Sequence, residues 1–521
     1  MRISTAQYYE TTAANYQRGY NDTLKTSAEA SSMVKVNTAA DDPVGAARLL
    51  QLGQQSAALT QYSSNISSLK GSFSQSETAL TAIQSAMQSA REIGLSAISG
   101  TNTDADRKAY AQQLGQIQQT VLGLMNSQDA NGNYLFGGSK TSAPPYTANS
   151  DGTYSYNGDQ SQLNLAIGDN SSVASNVTGW DAFQQSINTA RTQVTMTSPA
   201  VDDGRVTLSN GQVSNSATYN AQFAGGQPYT VSFLSSTQIK ITDASGADVT
   251  SEASQNGVIS NSNGANQTVT FRGVDLGLNL NLKSGDVPDT VIAGHSFTLA
   301  AQPDTFNTSR SAGNPSTAVV TGATTTNQAA YDSTFPASGA ILKFTSATAY
   351  DLYASPITAS SRPVSSGTMA GSTATAAGVS LTLGGTPAAG DQFVVQPNNH
   401  QTQNILDTLN QMIGTLNTPA DGNPVAQQKL LASMNAGVSN VTSAMDQAGS
   451  AVTAIGTRGQ VLDAQDATNQ SLVLANTTSQ GAIRDADPAA VMTQLTLQQT
   501  MLQAAQLAFS KISQLGLFNK I

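Results

Sequence analysis

The chain has 521 residues, a formal net charge of −10 and no cysteine, which excludes disulfides, thiol nucleophiles and cysteine-built metal sites. Residues 141–399 hold sixteen Asp and Glu against eight Lys and Arg, whereas the regions on either side are close to neutral. Such an acidic middle repels phosphates, so we expect no nucleic-acid partner.

The sequence also predicts the shape of the core and whether the chain crosses a membrane. Aromatic residues make up only 6% of the chain, which favours long elements with narrow apolar stripes over one large globular core. No apolar run approaches the roughly 18 residues that a membrane span needs. Met1 leads directly into polar sequence without a signal-peptide core. We therefore predict neither membrane insertion nor a cleaved signal peptide.

The first predicted element is a helix from about Ser4 to Val34. Tyr9, Tyr16, Tyr20 and Val34 belong to a stripe that alternates steps of four and three residues, the spacing of a helix that packs on another helix. The stripe includes Thr and Ser, so it is weakly apolar. Because burial supplies most helical stability, we expect this helix to need a partner.

A second, longer helix is predicted to start at Asp42 and Pro43. The adjacent carboxylates of Asp41 and Asp42 could form an ion site. Asp followed by Pro is, however, typical of a capped helix start, which we favour. The same alternation of three and four residues then continues from Leu52 to Ala97 without a proline. A shorter helix, from Tyr110 to Leu124, is predicted to return alongside it.

Residues 141–399 change to short alternating runs between Gly, Asn, Ser and Pro clusters, which predicts β structure. Parts of this region look duplicated, since residues 229–242 resemble residues 341–353. We predict two related β modules. The first is formed by residues 141–200 and 336–399, and the second, inserted module by residues 201–335.

Helical spacing resumes after Asn398 and continues to the end of the chain. A long stripe runs from Met434 to Val473, and its second half is polar at Asp466 and Asn469. We therefore expect the second half of this stripe to face a partner. Asp487 and Pro488 then repeat the capped start. The terminal helix carries a 4-3 stripe that includes Val491, Leu495, Leu502, Phe509 and Ile512.

These elements predict an α+β multidomain fold, in which both termini form a long antiparallel α-helical bundle or coiled coil and all-β modules are inserted. Residues 1–40 and 485–521 form the terminal helices, and residues 41–140 and 400–484 form the long-helix bundle. We call the following positions the predicted assembly stripe, because their apolar edges lack a partner of matching length: Tyr9, Tyr16, Tyr20, Val34, Val491, Leu495, Leu502, Phe509 and Ile512.

Little in the sequence indicates catalysis. The chain has two histidines, His295 and His400, and we expect both to lie in polar loops without a paired carboxylate or nucleophile. Residues 132–140 are glycine-rich, but the lysine is misplaced and no strand precedes the loop, which argues against a phosphate site. We predict no enzyme activity, no cofactor and no metal.

Several short motifs occur in order along the chain. They are Met1-Arg2-Ile3-Ser4-Thr5, the segment from Asn37 to Pro43, Gly132-Asn133-Tyr134-Leu135-Phe136-Gly137-Gly138, Asp485-Ala486-Asp487, Leu502-Gln503-Ala504 and Leu517-Phe518-Asn519-Lys520-Ile521. This ordered set resembles the flagellin superfamily, and most of all its hook–filament junction branch. The resemblance covers about residues 1–190 and 370–521.

The resemblance implies a structural protein of the bacterial flagellum, outside the cell, exported through the flagellum's own channel. It implies a ring of identical subunits between a hook-associated protein on the hook side and flagellin on the filament side, and an export chaperone. A flagellin filament subunit is the alternative within the same class. A coiled-coil-stalked surface adhesin is the alternative from another class, although no signal peptide or anchor is visible.

Overall fold

The computed structural model describes residues 5–149, 152–264, 266–311 and 313–518, with the side chains of residues 5, 6, 8, 9 and 512–518 outside this description. Helices predominate at both ends, and the region between them is rich in strands, as the fold class predicted. The helices are α1 Thr5–Ser32, α2 Pro43–Ala97, α3 Asp104–Met125, α4 Ser216–Thr218, α5 Pro288–Ile292, α6 Gln328–Thr334, α7 Ile405–Leu416, α8 Pro424–Arg484 and α9 Pro488–Phe518.

The strands pair in antiparallel fashion in small sheets. They are β1 Tyr146–Ala148, β2 Tyr154–Tyr156, β3 Asn164–Gly168, β4 Ser171–Ala174, β5 Thr192–Ser198, β6 Val206–Leu208, β7 Gln212–Val213, β8 Tyr229–Ser235, β9 Gln238–Thr242, β10 Gln267–Phe271, β11 Val274–Leu280, β12 Ser296–Ala301, β13 Thr305–Arg310, β14 Val319–Thr325, β15 Ala340–Phe344, β16 Ala349–Ala354, β17 Ser365–Thr368, β18 Thr373–Ala376, β19 Val379–Gly384 and β20 Gln392–Asn398.

One of two compact units contains the described parts of Met1–Ser74, Asn164–Ser175 and Gly456–Ile521. In it α1 and α9 lie side by side and antiparallel, since Tyr16 contacts Gln506 near one end and Met33 contacts Ala486 at the other. The expectation that the two ends of the chain run together is met for these helices.

The β3–β4 hairpin packs on α2 and α8 of the same unit. Asn65 Nδ2 donates to the Ala166 carbonyl at 2.7 Å, and Asn469 Nδ2 donates to the Ile167 carbonyl at 2.9 Å. Lys70 lies 2.7 Å from Asp463 and 3.7 Å from Asp466. The polar half of the α8 stripe therefore does have a partner, but Asn469 and Asp466 find it within the chain.

The other unit contains residues 75–163 and 176–455. Its helical part has a tight apolar core, in which Gly94 allows close approach. A methyl group there would come within 2.8 Å of Met412 and Val438. Gln118 crosses from α3 to donate to the Leu406 carbonyl of α7 at 2.9 Å.

The β modules of this unit follow one another in tandem, which corrects the predicted boundaries. Strand β5 pairs with β12, so module A spans residues 192–301, and β13 pairs with β20, so module B spans residues 305–398. Each has its own apolar core. The predicted nested arrangement is wrong because β13 and β14 (both in 201–335) pair with strands of 336–399, and β5 (in 141–200) pairs with a strand of 201–335.

The predicted duplication itself is visible in the topology. Module A has the sheet order β5-β12-β8-β9, and module B repeats it as β13-β20-β15-β16 with β17 added. Asn215 caps the short helix of module A, and Asn327 caps that of module B. Each cap is held by the turn of a hairpin, where Gly273 and Gly378 have φ of 80° and 77°.

Candidate assembly surface

The two linkers that flank the long helices meet in a short backbone bridge. The Lys35 amide donates to the Arg484 carbonyl at 2.6 Å, and the Ala486 amide donates to the Met33 carbonyl at 3.0 Å. Val34 is half-buried beside Asp485 in this bridge. The bridge fixes the start of α9 against the end of α1, so Val34 belongs to a linker and not to a helical stripe.

Both predicted caps accept helix amides. Asp42 Oδ1 accepts from the amides of Val44 at 3.1 Å and Gly45 at 2.9 Å, ahead of Pro43 as the first residue of α2. Asp487 Oδ1 accepts from the Ala489 amide at 2.9 Å, ahead of Pro488 in α9. Both carboxylates therefore cap the starts of their helices.

Asp41, next to the first cap, organises the linker before α2. Its carboxylate lies 2.9 Å from the Lys25 ammonium and accepts from the Thr38 amide at 2.9 Å and the Thr38 hydroxyl at 3.0 Å. Lys25, followed by the amide and hydroxyl of Thr38, holds the pKa of Asp41 well below its usual range.

On α9, three of the four described predicted-stripe side chains are at least half-buried. Val491 is only 8% exposed, and Leu495 and Leu502 are half-buried, with Leu502 beside Gly19. Phe509 is 38% exposed. The side chain of Ile512 lies outside the described residues.

On α1, the structure separates the predicted tyrosines. The half-buried Tyr16 accepts a hydrogen bond from Gln506 at 3.0 Å, but Tyr20 is 47% exposed. The inward face of α1 instead follows the half-buried or buried positions Thr12, Tyr16, Gly19, Thr23, Thr26 and Ala30. Tyr20 does not share that face, so its place in the assembly stripe stays a prediction, and the side chain of Tyr9 lies outside the described residues.

A second apolar stripe on α9 remains exposed in the monomer, and the sequence interpretation missed it. Leu497 is 54% exposed and Met501 60% exposed, and Ala504 and Ala508 continue at steps of three and four residues. We call Leu497, Met501, Ala504 and Ala508 the exposed stripe. The spacing rule that predicted the α9 part of the assembly stripe also predicts this second stripe. On α1, Leu24 is exposed one turn after Tyr20.

One prediction about the two histidines fails. His295 is buried, and its Nε2 lies 3.1 Å from Asp203 Oδ1, so it does have a carboxylate partner. His400 Nε2 lies 3.0 Å from the Pro303 carbonyl. In the described part of the chain, no group of three or more His, Asp or Glu is arranged to hold a metal, and no helix is long and apolar enough to cross a membrane.

Comparisons with known proteins relate the N-terminal helical part of this chain to a protein family. Residues 3–141 match the model of the bacterial flagellin N-terminal helical region. Flagellar hook-associated protein 3 of Salmonella typhimurium is 33% identical over 146 residues, which are 28% of this chain and 46% of that protein. The resemblance to the flagellin superfamily is confirmed.

A flagellin and a solved structure also resemble this chain. Flagellin of Salmonella montevideo is 26% identical over 209 residues, covering 36% of this chain and 41% of that protein. A crystal structure of flagellar hook-associated protein 3 from Legionella pneumophila shares the fold, with a TM-score of 0.52 and 17% identity over 82% of this chain and 97% of that one. The chain spans about half the length of the curated relatives that it matches.

Proposed function

We propose that this chain is a structural subunit of the bacterial flagellum, which forms the junction between hook and filament through packing of its terminal helices. The observation that carries the proposal is the exposed stripe of α9, on a helix that is already paired with α1 in its own chain. In an isolated monomer this stripe stays exposed to water, so it indicates a contact with another chain.

The energetics favour another helix as the occupant of this stripe. Full burial of a Leu or Met side chain stabilises by about 1.5–3 kcal/mol. Steps of four, three and four residues in Leu497, Met501, Ala504 and Ala508 suit an α-helix packed along the stripe. A second copy of the chain supplies such a helix, and the same contact repeated from subunit to subunit forms a ring when the rotation between neighbours closes.

The partners follow from this proposal and from the names of the relatives. A ring of identical subunits would contact a hook-associated protein on one side and flagellin on the other, outside the cell. An export chaperone would cover the terminal helices before assembly, and export would need no cleaved signal peptide. The acidic, Ser- and Thr-rich β modules suit the solvated outer part.

A flagellin filament subunit is the second candidate within the same class. It is supported by the 26% identical match to flagellin, which is longer than the match to hook-associated protein 3 but lower in identity. The two functions differ in copy number and in the ability to form long filaments. The surface adhesin has no comparable support.

The test is electron microscopy and swimming of a deletion strain that expresses single variants of this chain. The junction function predicts hooks without filaments in the deletion strain. Met501→Asp should reproduce this loss, because a charge would replace an apolar side chain in the exposed stripe. Gln499→Asp, an exposed position on another face of α9, should restore filaments and swimming.

Two results would contradict the proposal. Normal filaments in the deletion strain would exclude the junction function, and abundant filaments built from this chain itself would favour the flagellin alternative. Far-UV circular dichroism of both variants would establish that the β modules and long helices remain folded. Full swimming with Met501→Asp would exclude the exposed stripe as the contact.

A further inference from the structure

Module B contains a cavity of about 240 Å³ whose walls are aromatic and acidic. Tyr331 and Phe335 form one wall, with ring centroids 5.2 Å apart, and Asp304 and Asp332 lie at the rim. Tyr331 is buried and donates its hydroxyl to Asp304 at 2.5 Å. Asp332 accepts from Gln328 at 2.8 Å. In the described residues, neither carboxylate is paired with Lys, Arg or His.

Module A shows what the equivalent aromatic pair binds. Tyr219 and Phe223 stack at 4.9 Å after the Asn215 cap, as Tyr331 and Phe335 follow the Asn327 cap. The guanidinium of Arg191, a buried residue just before β5, lies 4.8 Å from the Tyr219 ring centroid. This pair therefore carries a cation from its own chain.

The arginines of module A have no counterparts in module B. The residue just before β13, the first strand of module B, is Asp304. Arg272 opens the β10–β11 turn of module A and lies 5.4 Å from the Tyr229 ring centroid, whereas Ala377 opens the matching β18–β19 turn. Module B thus has the same tyrosine–phenylalanine pair as module A, but it has neither guanidinium group and has a carboxylate in place of Arg191.

We propose that this cavity, lined by Asp304, Tyr331, Asp332, Phe335 and Pro397, binds an external guanidinium or primary ammonium group of side-chain size. The aromatic faces attract a cation, and the two carboxylates accept its N–H groups. Burial raises the pKa of Tyr331 and the Asp304 carboxylate raises it further, so the phenol stays a neutral donor. Two carboxylates are too few for a calcium site, which takes six to eight oxygen ligands.

The chemistry of the site leaves two sources for the cation. It can be a Lys or Arg side chain of a neighbouring polypeptide, or a small free amine or guanidine. A guanidinium fits the site best, because its planar N–H groups bind carboxylates in pairs and its face stacks on aromatic rings.

The first experiment measures protection of the cavity on the full-length chain. Carbodiimide-driven coupling of glycine ethyl ester to each carboxylate is followed by peptide mass spectrometry, with and without n-butylguanidinium. Coupling at Asp304 and Asp332 should fall by about tenfold near saturation. Coupling at Asp351, in the same module but outside the cavity, should not change. The neutral analogue n-butylurea should protect neither carboxylate.

A second variant fills the site from within. Asp304→Arg places a guanidinium just before β13, as Arg191 stands just before β5, so Asp332 should couple slowly without any ligand, and n-butylguanidinium should have no further effect. Asp332→Asn should weaken protection of Asp304 while leaving the fold unchanged by circular dichroism. Absence of protection, equal protection by n-butylurea, or protection by calcium chloride alone would overturn the proposal.

The source is identified by repeating the carbodiimide coupling on washed, intact flagella and on the monomers released from them. Protection of Asp304 and Asp332 in flagella that is lost in the monomers, with no amine or guanidine released, assigns the cation to a Lys or Arg side chain of a neighbouring polypeptide. An amine or guanidine released from washed, denatured flagella of the wild type, and not of the Asp304→Arg variant, assigns it to a small molecule.

Discussion

At the scale of single residues, Asp41 ties the end of α1 to the start of α2. Its carboxylate joins Lys25 on α1 to Thr38 in the linker, and the next residue caps α2. The depressed pKa of Asp41 means that the folded state prefers the ionised form. Its contribution to stability is therefore present above the usual Asp pKa of about 3.9 and declines as the pH falls below it.

Asp41→Asn should lower the melting temperature of the helical part at pH 7, because the amide cannot pair with Lys25. Between pH 7 and about pH 5 the difference from wild type should stay constant. Below about pH 4 it should shrink, because the unfolded wild-type chain then binds a proton at Asp41 that the folded chain does not. Circular dichroism melts across this range check the result. Glu77→Gln, at an exposed position of α2, is the control. A difference that persists unchanged at pH 2 would contradict this role.

Asn469 is a polar residue whose purpose the sequence could not reveal. The break in the apolar stripe of α8 indicated a partner, but the partner is a hairpin 302 residues away in the chain. The Asp-Pro caps were predictable because a cap and its helix are adjacent in sequence. Asn469 depends on a distant pairing, for which a single sequence carries no local signal.

Asn469→Leu should loosen the β3–β4 hairpin, because it leaves the buried Ile167 carbonyl without its donor. The expected cost is about 1–3 kcal/mol. Amide exchange within β3 and β4 should accelerate relative to wild type, while exchange in modules A and B should not change. Gln460→Leu, at an exposed position of α8, tests whether the added apolar group alone has an effect. Unchanged exchange in the hairpin would show that the Asn469 bond is dispensable.

At the scale of elements, spacing predicted the helices better than it predicted their faces. The existence of α1, α2, α8 and α9 follows from long regular alternation of apolar residues. The half-buried or buried face of α1 is made of Thr and Gly as well as Tyr, so apolarity gives little contrast between the stripes of this helix. On α9, two stripes satisfy the same rule, and only packing shows which one α1 covers.

The turn glycines of the two β modules give a test of their independence. Gly378 has φ of 77°, and a methyl group on it would lie 2.4 Å from the Asn327 carbonyl oxygen. Gly273 in module A has φ of 80° and would place a methyl group 2.5 Å from the Asn215 carbonyl oxygen. Each substitution should damage only the module that contains it.

Gly378→Ala should destabilise module B by more than the roughly 1–2 kcal/mol that the left-handed backbone alone costs. Native-state trypsin digestion should cleave faster at Lys343 in module B, with no change at Lys240 in module A. Gly273→Ala should give the reverse. Gly371→Ala has φ of 64° but open space, so it measures the backbone cost alone. Equal acceleration in both modules would mean that they unfold together.

At the scale of the whole molecule, duplication was predictable and connectivity was not. Similar short segments at Tyr229 and Ile341 indicated two related modules, because a repeat leaves its mark in the sequence itself. Whether the modules are nested or in tandem depends on pairs such as β5 with β12, about a hundred residues apart. Such pairings carry no local pattern, and the nested choice was wrong.

The last prediction concerns the stability of the two ends before and after assembly. Among the described side chains, only Thr26 in α1 and only Val491 in α9 are buried, at 4% and 8% exposed. Helices with so little burial should open often, because burial supplies most helical stability. We therefore expect frayed ends in the isolated chain, over residues 1–40 and 485–521, of which residues 1–4 and 519–521 lie outside the described part.

Amide exchange of the monomer should be fast in α1 and α9 and slow in the buried turns of α2 around Leu80 and Ile83, which are fully buried. In assembled flagella, exchange in α9 should slow sharply, because the exposed stripe gains a partner. Flagella of Gln499→Asp should show the same slowing, whereas the Met501→Asp chain should remain unassembled with fast exchange in α9. Slow exchange of both terminal helices in the free monomer would mean that they are complete without a partner, and the terminal contact would lose its physical basis.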